Sequence, residues 1–212
     1  MNGLRIAIVF ALAGVLSIAP CSAFTEWKTR EDKAIARELE AAIAQRERVL
    51  LSQEYKIRKR IERLTRKNTD KEKAELLQEK LADILLQRDC LIYLSKGMEE
   101  LEESATPYTF NTLYYGAPAF LSSLEDGTIV INNYGKIGNR AHEVTHAIQY
   151  ERGDFSFTPL GSNKIQSDRY IEVLEIQAYR SEFTVTGGML PVSKYSKPKT
   201  IAEISYEWLY GL

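Results

Sequence analysis

Residues 138–153 read GNRAHEVTHAIQYERG, and both histidines of the 212-residue chain, His142 and His146, fall inside this stretch. Gly138-Asn139 offers an N-cap, Arg140 to Arg152 carries no breaker, and Gly153 supplies a stop, so the pattern predicts a helix. On a helix, residues four apart share one face, with Cβ atoms about 5–6 Å apart. Two imidazoles so placed can ligate one Zn2+, with Glu143 beside them as a base towards a water that the metal activates. Gln149 shares their face, while Ala141, Val144 and Ile148 point elsewhere, as a core face should. Two histidines dropped at random would fall four apart about once in a hundred chains. Requiring Glu after the first lowers this to roughly one in a thousand.

Zinc needs a third protein ligand, and no third histidine exists, so a carboxylate must serve. This excludes the long motif of the metzincins, which ends in a third histidine. Residues 168–184 read DRYIEVLEIQAYRSEFT, a second predicted helix with Ser167 or Asp168 as its cap and Gly187-Gly188 at its end. Glu172, Glu175, Tyr179 and Glu182 lie on one stripe of it. Glu175 is the expected third ligand and Glu172 the runner-up, and Glu182 is expected to face solvent.

HEVTH at 142–146, Gln149 three residues later and EIQAY at 175–179 together resemble the gluzincin clan of zinc metallopeptidases. Small bacterial members are similar, with HExxHxxQ followed by a second helix bearing ExxA. The resemblance implies Glu175 as metal ligand, Ala178 as its close-packing partner, Zn2+ as cofactor and a peptide or protein substrate. It also implies an α+β, zincin-like catalytic domain. It spans Thr128 to Leu190, less than a third of the chain. Within it, Thr128 to Asn132 follows a Glu125-Asp126-Gly127 turn and has strand propensity. The resemblance implies that Ile129, Val130 and Ile131 lie along the cleft, where an extended peptide adds by backbone hydrogen bonds. Tyr108–Tyr115 and Ala119–Leu124 are expected to supply further strands. Tyr179, Arg180, Tyr206 and Tyr150 are candidates for stabilising an oxyanion, with nothing in the sequence to choose among them, and Gln149 or a nearby Asp is the candidate for orienting a ligand.

The residues before this half differ in composition. Glu26 to Glu103 holds 18 basic and 18 acidic residues, no proline, and Gly97 as its lone glycine. Ala36, Ile43, Leu50, Ile57 and Leu64 recur every seven residues, as do Leu77, Ile84, Leu91 and Met98, joined by Leu94 and Leu101. With Asn68-Thr69-Asp70 as a turn, this predicts an antiparallel hairpin of two long helices, Glu26–Lys67 and Asp70–Glu103. It reads as a scaffold, as a partner-binding or self-associating arm, or as an inhibitory segment preceding the catalytic half. Lys56, Arg58, Lys59, Arg60, Arg63, Arg66 and Lys67 cluster near its tip. At the other end of the chain, Thr200 and Glu203 have the spacing of a capping box, which predicts a helix over Thr200–Tyr210.

Arg5, the apolar run Ile6–Ala19, the Pro20 break and Cys21-Ser22-Ala23 have the layout of a secretory signal peptide cut before Phe24. An uncleaved anchor and a lipoprotein lipidated at Cys21 are the lesser alternatives. The expected organisation is 1–23 signal peptide, 24–104 helical hairpin and 105–212 catalytic domain, in a secreted or periplasmic protein without a further membrane span. A net charge of −1 argues against a dedicated nucleic-acid binder, and two cysteines exclude a disulfide scaffold. Cys90, the thiol left after cleavage, sits in a helical apolar pattern and reads as a small buried hydrophobe. The function expected is an exported zinc metallopeptidase with Glu143 as general base. The alternative is a catalytically silent binding protein on a peptidase-like fold, working through the hairpin.

Overall fold

The computed structural model describes residues 27–67, 70–114, 117, 119–159, 161, 165–167, 171–190 and 197–211. The signal-peptide reading of 1–23, the turn residues Asn68 and Thr69, and the Asp168 cap lie outside them. Two long helices come first, α1 (Arg30–Lys67) and α2 (Lys71–Glu103). Asp70 caps α2 by accepting from Lys73 N, as the turn signal required. The heptad residues Ala36, Ile43, Leu50, Leu77, Ile84, Leu91 and Met98 are buried, with Leu39, Leu94 and Leu101 beside them. Ile57 and Leu64 are only half-buried, because beyond Leu50 and Leu77 each helix has mainly the other to cover it.

Three strands come next: β1 (Tyr108–Thr112), β2 (Phe120–Ser123) and β3 (Ile129–Asn133). They order as β1-β3-β2, with β1 parallel and β2 antiparallel to β3. Leu124 N donates to Thr128 O across the β2–β3 turn, where Gly127 takes a φ of 82° that favours glycine. The start of α1 is bound to the outer edge of β1. Lys28 N donates to Tyr108 O, and the buried Asp32 carboxylate accepts from Phe110 N at 2.6 Å and from Thr109 Oγ1. The resemblance implied β3 as a substrate-binding edge. It is instead the central strand, paired on both sides, with Ile129 and Ile131 fully buried. Its backbone groups are already used, so an added peptide cannot pair with Ile129, Val130 or Ile131.

Two helices carry the motif residues, α3 (Ile137–Glu151) and α4 (Ile171–Thr186). The N-cap of α3 is Lys136 rather than Gly138-Asn139. Gly138 has another use: a Cβ there would lie 2.5 Å from Thr186 Cγ2, so the glycine lets α3 and α4 approach. Gly97 does the same between α2 and α3, where a Cβ would lie 2.3 Å from Ile148 Cδ1. Gly187 and Gly188, at φ 74° and 98°, end α4 through bonds to Thr184 O and Phe183 O. A short antiparallel pair, β4 (Ser156–Phe157) and β5 (Ile165–Gln166), lies between α3 and α4.

The C-terminal stretch is a 3-10 turn, Ile201–Glu203, and a five-residue helix, α5 (Tyr206–Tyr210), rather than one helix. The Glu203 carboxylate accepts from Lys199 N, and Ser205 caps α5, so the chain breaks at Ile204. Ile201, Ile204 and Trp208 pack with Phe183 of α4 in a small second cluster. The main core is continuous across the compositional boundary near Glu103. It joins Leu39, Leu50, Leu94 and Met98 of the hairpin to Tyr108, Ile131, Val144, Ile148 and Leu174. Among the described residues, no helix is long and apolar enough to cross a membrane.

Candidate metal centre

α3 and α4 pack along their lengths, which brings the HEVTH face against the Glu175 stripe. His142 Nε2 lies 3.2 Å from His146 Nε2 and 3.4 Å from Glu175 Oε2, and His146 Nε2 lies 3.3 Å from Glu175 Oε1. A tetrahedral ion about 2.0–2.1 Å from each donor spaces its donors about 3.3 Å apart. The two imidazole nitrogens therefore have the spacing a bound Zn2+ requires, each faces a different oxygen of Glu175 at a similar distance, and one ligand atom from each of the three residues lies within 4.8 Å of the others.

The ring protons are set by the neighbours. Gln149 Nε2 donates to Leu174 O and to Gln177 Oε1, each at 3.0 Å. A carbonyl only accepts, so the amide cannot be flipped, and its Oε1 faces His146 Nδ1 at 2.8 Å. That nitrogen must carry the proton, which leaves the Nε2 lone pair pointing at the ligand cluster. On the other ring, Glu182 Oε2 faces His142 Nδ1 at 3.4 Å, an approach that favours a proton on that nitrogen although no hydrogen bond of normal geometry forms among the described residues. With both rings neutral in that tautomer, two lone pairs and a carboxylate converge, an arrangement that calls for positive charge, either a bound cation or a proton on His142.

Ionisation reflects the same demand for positive charge. Burial alone would lower the His142 pKa, but the Glu175 and Glu182 carboxylates and the Glu143 charge raise it to about 10. Burial opposes ionisation of Glu175, yet His142 and His146 hold it well below the usual carboxylate range. Glu143 is pushed upward by burial, with His142 and His146 opposing and Glu175 and Glu182 adding to the rise. Asn139 Nδ2 reaches Glu143 Oε1 at 3.4 Å, and Glu143 Oε2 is buried without a partner among the described residues.

No protein family, curated protein or solved structure matches this chain. The geometry of the site is therefore what speaks for its chemistry.

Glu172, the alternative third ligand, is not in the cluster; its Oε1 accepts from Tyr210 OH at 2.8 Å. It sits in the first turn of α4. Glu182, expected to be solvated, is 2% exposed and belongs to the site. Its stripe continues against α3 because Gly138 leaves room for its side chain. Tyr179 packs edge-on against His142 with centroids 4.5 Å apart, backed by Trp208 at 5.3 Å. Arg180 is not brought to the cluster. One residue on from Tyr179 is about 100° round the helix. Its Nε donates to Ile204 O, and it lines a cleft of 420 Å³ with Cys90 and Tyr93 on the α2 side of α4. Tyr150 packs with Phe155 and Phe157, and Tyr206 stacks on Tyr210. Sequence reasoning missed Glu182 and Asn139. The signal for Glu182 was its place two turns after Glu175, and for Asn139 its place one turn before Glu143.

Proposed function

We propose that this chain is an exported zinc-dependent peptidase that hydrolyses peptide bonds in a peptide or protein substrate. The observation that carries the reading is the convergence of His142, His146 and Glu175, whose ligand atoms lie within 4.8 Å of one another with the two imidazole nitrogens 3.2 Å apart. Bound Zn2+ supplies a Lewis acid for the scissile carbonyl and lowers the pKa of water. Glu143 is on the same helix as both imidazoles, with Oε1 near Asn139 and Oε2 unpartnered among the described residues. It takes the proton of the attacking water and returns it to the leaving amine. Burial raises its pKa above the usual carboxylate value, the direction that a group which both takes and returns a proton needs. Glu182 and Gln149 hold the imidazoles in the tautomer that ligates. Tyr179, packed on His142, is the proposed donor to the developing oxyanion. A zincin-like cleft places an extended substrate on the outer edge of β2, since β1 is covered by the start of α1. Export rests on the apolar run Ile6–Ala19 and the small residues before Phe24.

The test is the metal content and peptide-library hydrolysis of residues 24–212. About one zinc per chain is expected, lost in Glu175→Ala and kept in Glu172→Ala. Glu143→Gln keeps its zinc while the rate falls by about a hundredfold or more. Zinc-free protein under zinc supplementation, or an undiminished rate in Glu143→Gln, overturns the reading.

A further inference from the structure

Residues 56–67 carry seven cations, Lys56, Arg58, Lys59, Arg60, Arg63, Arg66 and Lys67, against the single anion Glu62. Arg58 is accounted for: it pairs with Glu54, which also binds Arg88 of α2. The other six differ from it in direction. At 100° per residue, Lys56, Lys59, Arg60, Arg63, Arg66 and Lys67 fall within an arc of about 120°. The half-buried Ile57, Ile61 and Leu64 mark the seam with α2, and the middle of the basic arc lies well round the helix from it. All six are exposed, and among the described residues none forms an ion pair; Lys59 rests on the exposed Tyr55 ring at 5.1 Å. The stripe spans eleven steps of helix, about 16 Å, along the distal arm and away from the core that holds the metal cluster.

Six cations outnumber the flanking Glu62 on this face of the helix and repel one another, and that repulsion is relieved where the face meets a surface of opposite charge. We infer that this face of the hairpin docks on an anionic phospholipid surface. A bilayer is favoured over a nucleic acid by three features. The chain as a whole has a net charge of −1 rather than a basic excess. The stripe is straight and lies on one side of a helix, as a flat surface demands. The apolar run Ile6–Ala19 has the layout of a signal that takes a chain to a membrane, so this argument rests on the proposed export. The docking is electrostatic and peripheral, and it is independent of the metal site.

Residues 24–212 contain every residue of the described core and lack the apolar run, so they are the protein to use. Co-sedimentation is measured with phosphatidylcholine vesicles, with vesicles containing phosphatidylglycerol, and with duplex DNA as competitor. Binding is expected only with the anionic lipid, falling steeply as salt rises. Each cation removed lowers partitioning about fivefold, so Lys56→Gln/Arg60→Gln/Arg63→Gln/Lys67→Gln loses at least about a hundredfold. Arg37→Glu with Lys80→Glu, off the stripe, leaves binding within a few fold. Circular dichroism checks that the variants stay folded. Equal binding to neutral vesicles, undiminished binding by the quadruple variant, or displacement by DNA at lower concentration than by anionic lipid overturns the inference. Zinc content and hydrolysis are unchanged in the quadruple variant, which separates this outcome from failure of the peptidase reading.

Discussion

Glu182 shows how much one buried carboxylate can decide. It faces His142 Nδ1 at 3.4 Å, is 2% exposed, and leaves its Oε1 without a partner among the described residues. A buried carboxylate in that position is balanced by the His142 imidazole it faces, and on the proposed reading a metal held by that ring would add to the balance. Glu182→Gln keeps the shape and removes the charge, so zinc affinity is expected to fall about 10- to 100-fold. Competition with a chelator of known affinity measures this, and melting of the metal-free protein reports separately on folding. An unchanged zinc affinity would leave Glu182 as packing alone. The two histidines and Glu143 could be recognised from spacing because the helix converts spacing into direction. Whether Glu182 faced solvent or α3 could not, since both faces of α4 carry polar residues and only the neighbour distinguishes them.

Between elements, the glycines set the distances. Gly97 is the one glycine between Glu26 and Glu103, and the Ile148 side chain fills the space where its Cβ would be, at 2.3–2.8 Å. Gly97→Ala must displace that whole side chain, at a cost of about 1–3 kcal/mol in unfolding free energy. Ile148→Val in the same chain recovers part of the loss, a coupling that a double-mutant cycle on denaturant midpoints would detect. Additive losses would mean that the helices part rather than that the side chains collide. The heptad seam was legible as elements because it is a local repeat. The contact of α2 with α3 was not, because a glycine reads equally well as a turn, a flaw or a close approach. The order of strands was hidden for a related reason: β3 comes after β2 in the chain, yet β1 pairs in parallel on its far side.

Over the whole molecule, the hairpin and the motif-bearing half share one core. Tyr108, Val144 and Ile148 share a core with Leu39, Leu94 and Met98, and Asp32 of α1 satisfies the backbone of β1. A chain restricted to residues 104–212 is therefore expected to show no near-ultraviolet circular dichroism and no cooperative melt. A folded fragment would restore the division at 104. Alkaline stability depends on the same packing. Burial pushes the Cys90 thiol from 9.0 up to about 11 and the Tyr93 phenol from 10.0 up to about 12, with Arg180 and Arg152 respectively opposing. Both groups are neutral when folded and ionise earlier when unfolded. Their contribution is thus complete below about pH 9 and is lost as the pH climbs through 11 and 12. The melting temperature is expected to drop across that range, and Cys90→Ala to flatten the drop between pH 9 and 11. A Cys90→Ala profile parallel to the wild type would count against it.

The sequence alone determined the features that arise from local periodicity: two long helices with an apolar seam, the α+β composition, and a pair of histidines on one helical face. Near neighbours along a helix have fixed relative directions, so those readings needed no knowledge of the fold. Tertiary structure alone decided which carboxylates join the site. Glu175 and Glu182 face α3, whereas Glu172 turns to Tyr210 and Arg180 to Ile204. It also decided that β3 is central and that the hairpin completes the core. These are matters of which surfaces meet, and they depend on close approaches at Gly97 and Gly138 that no local pattern encodes.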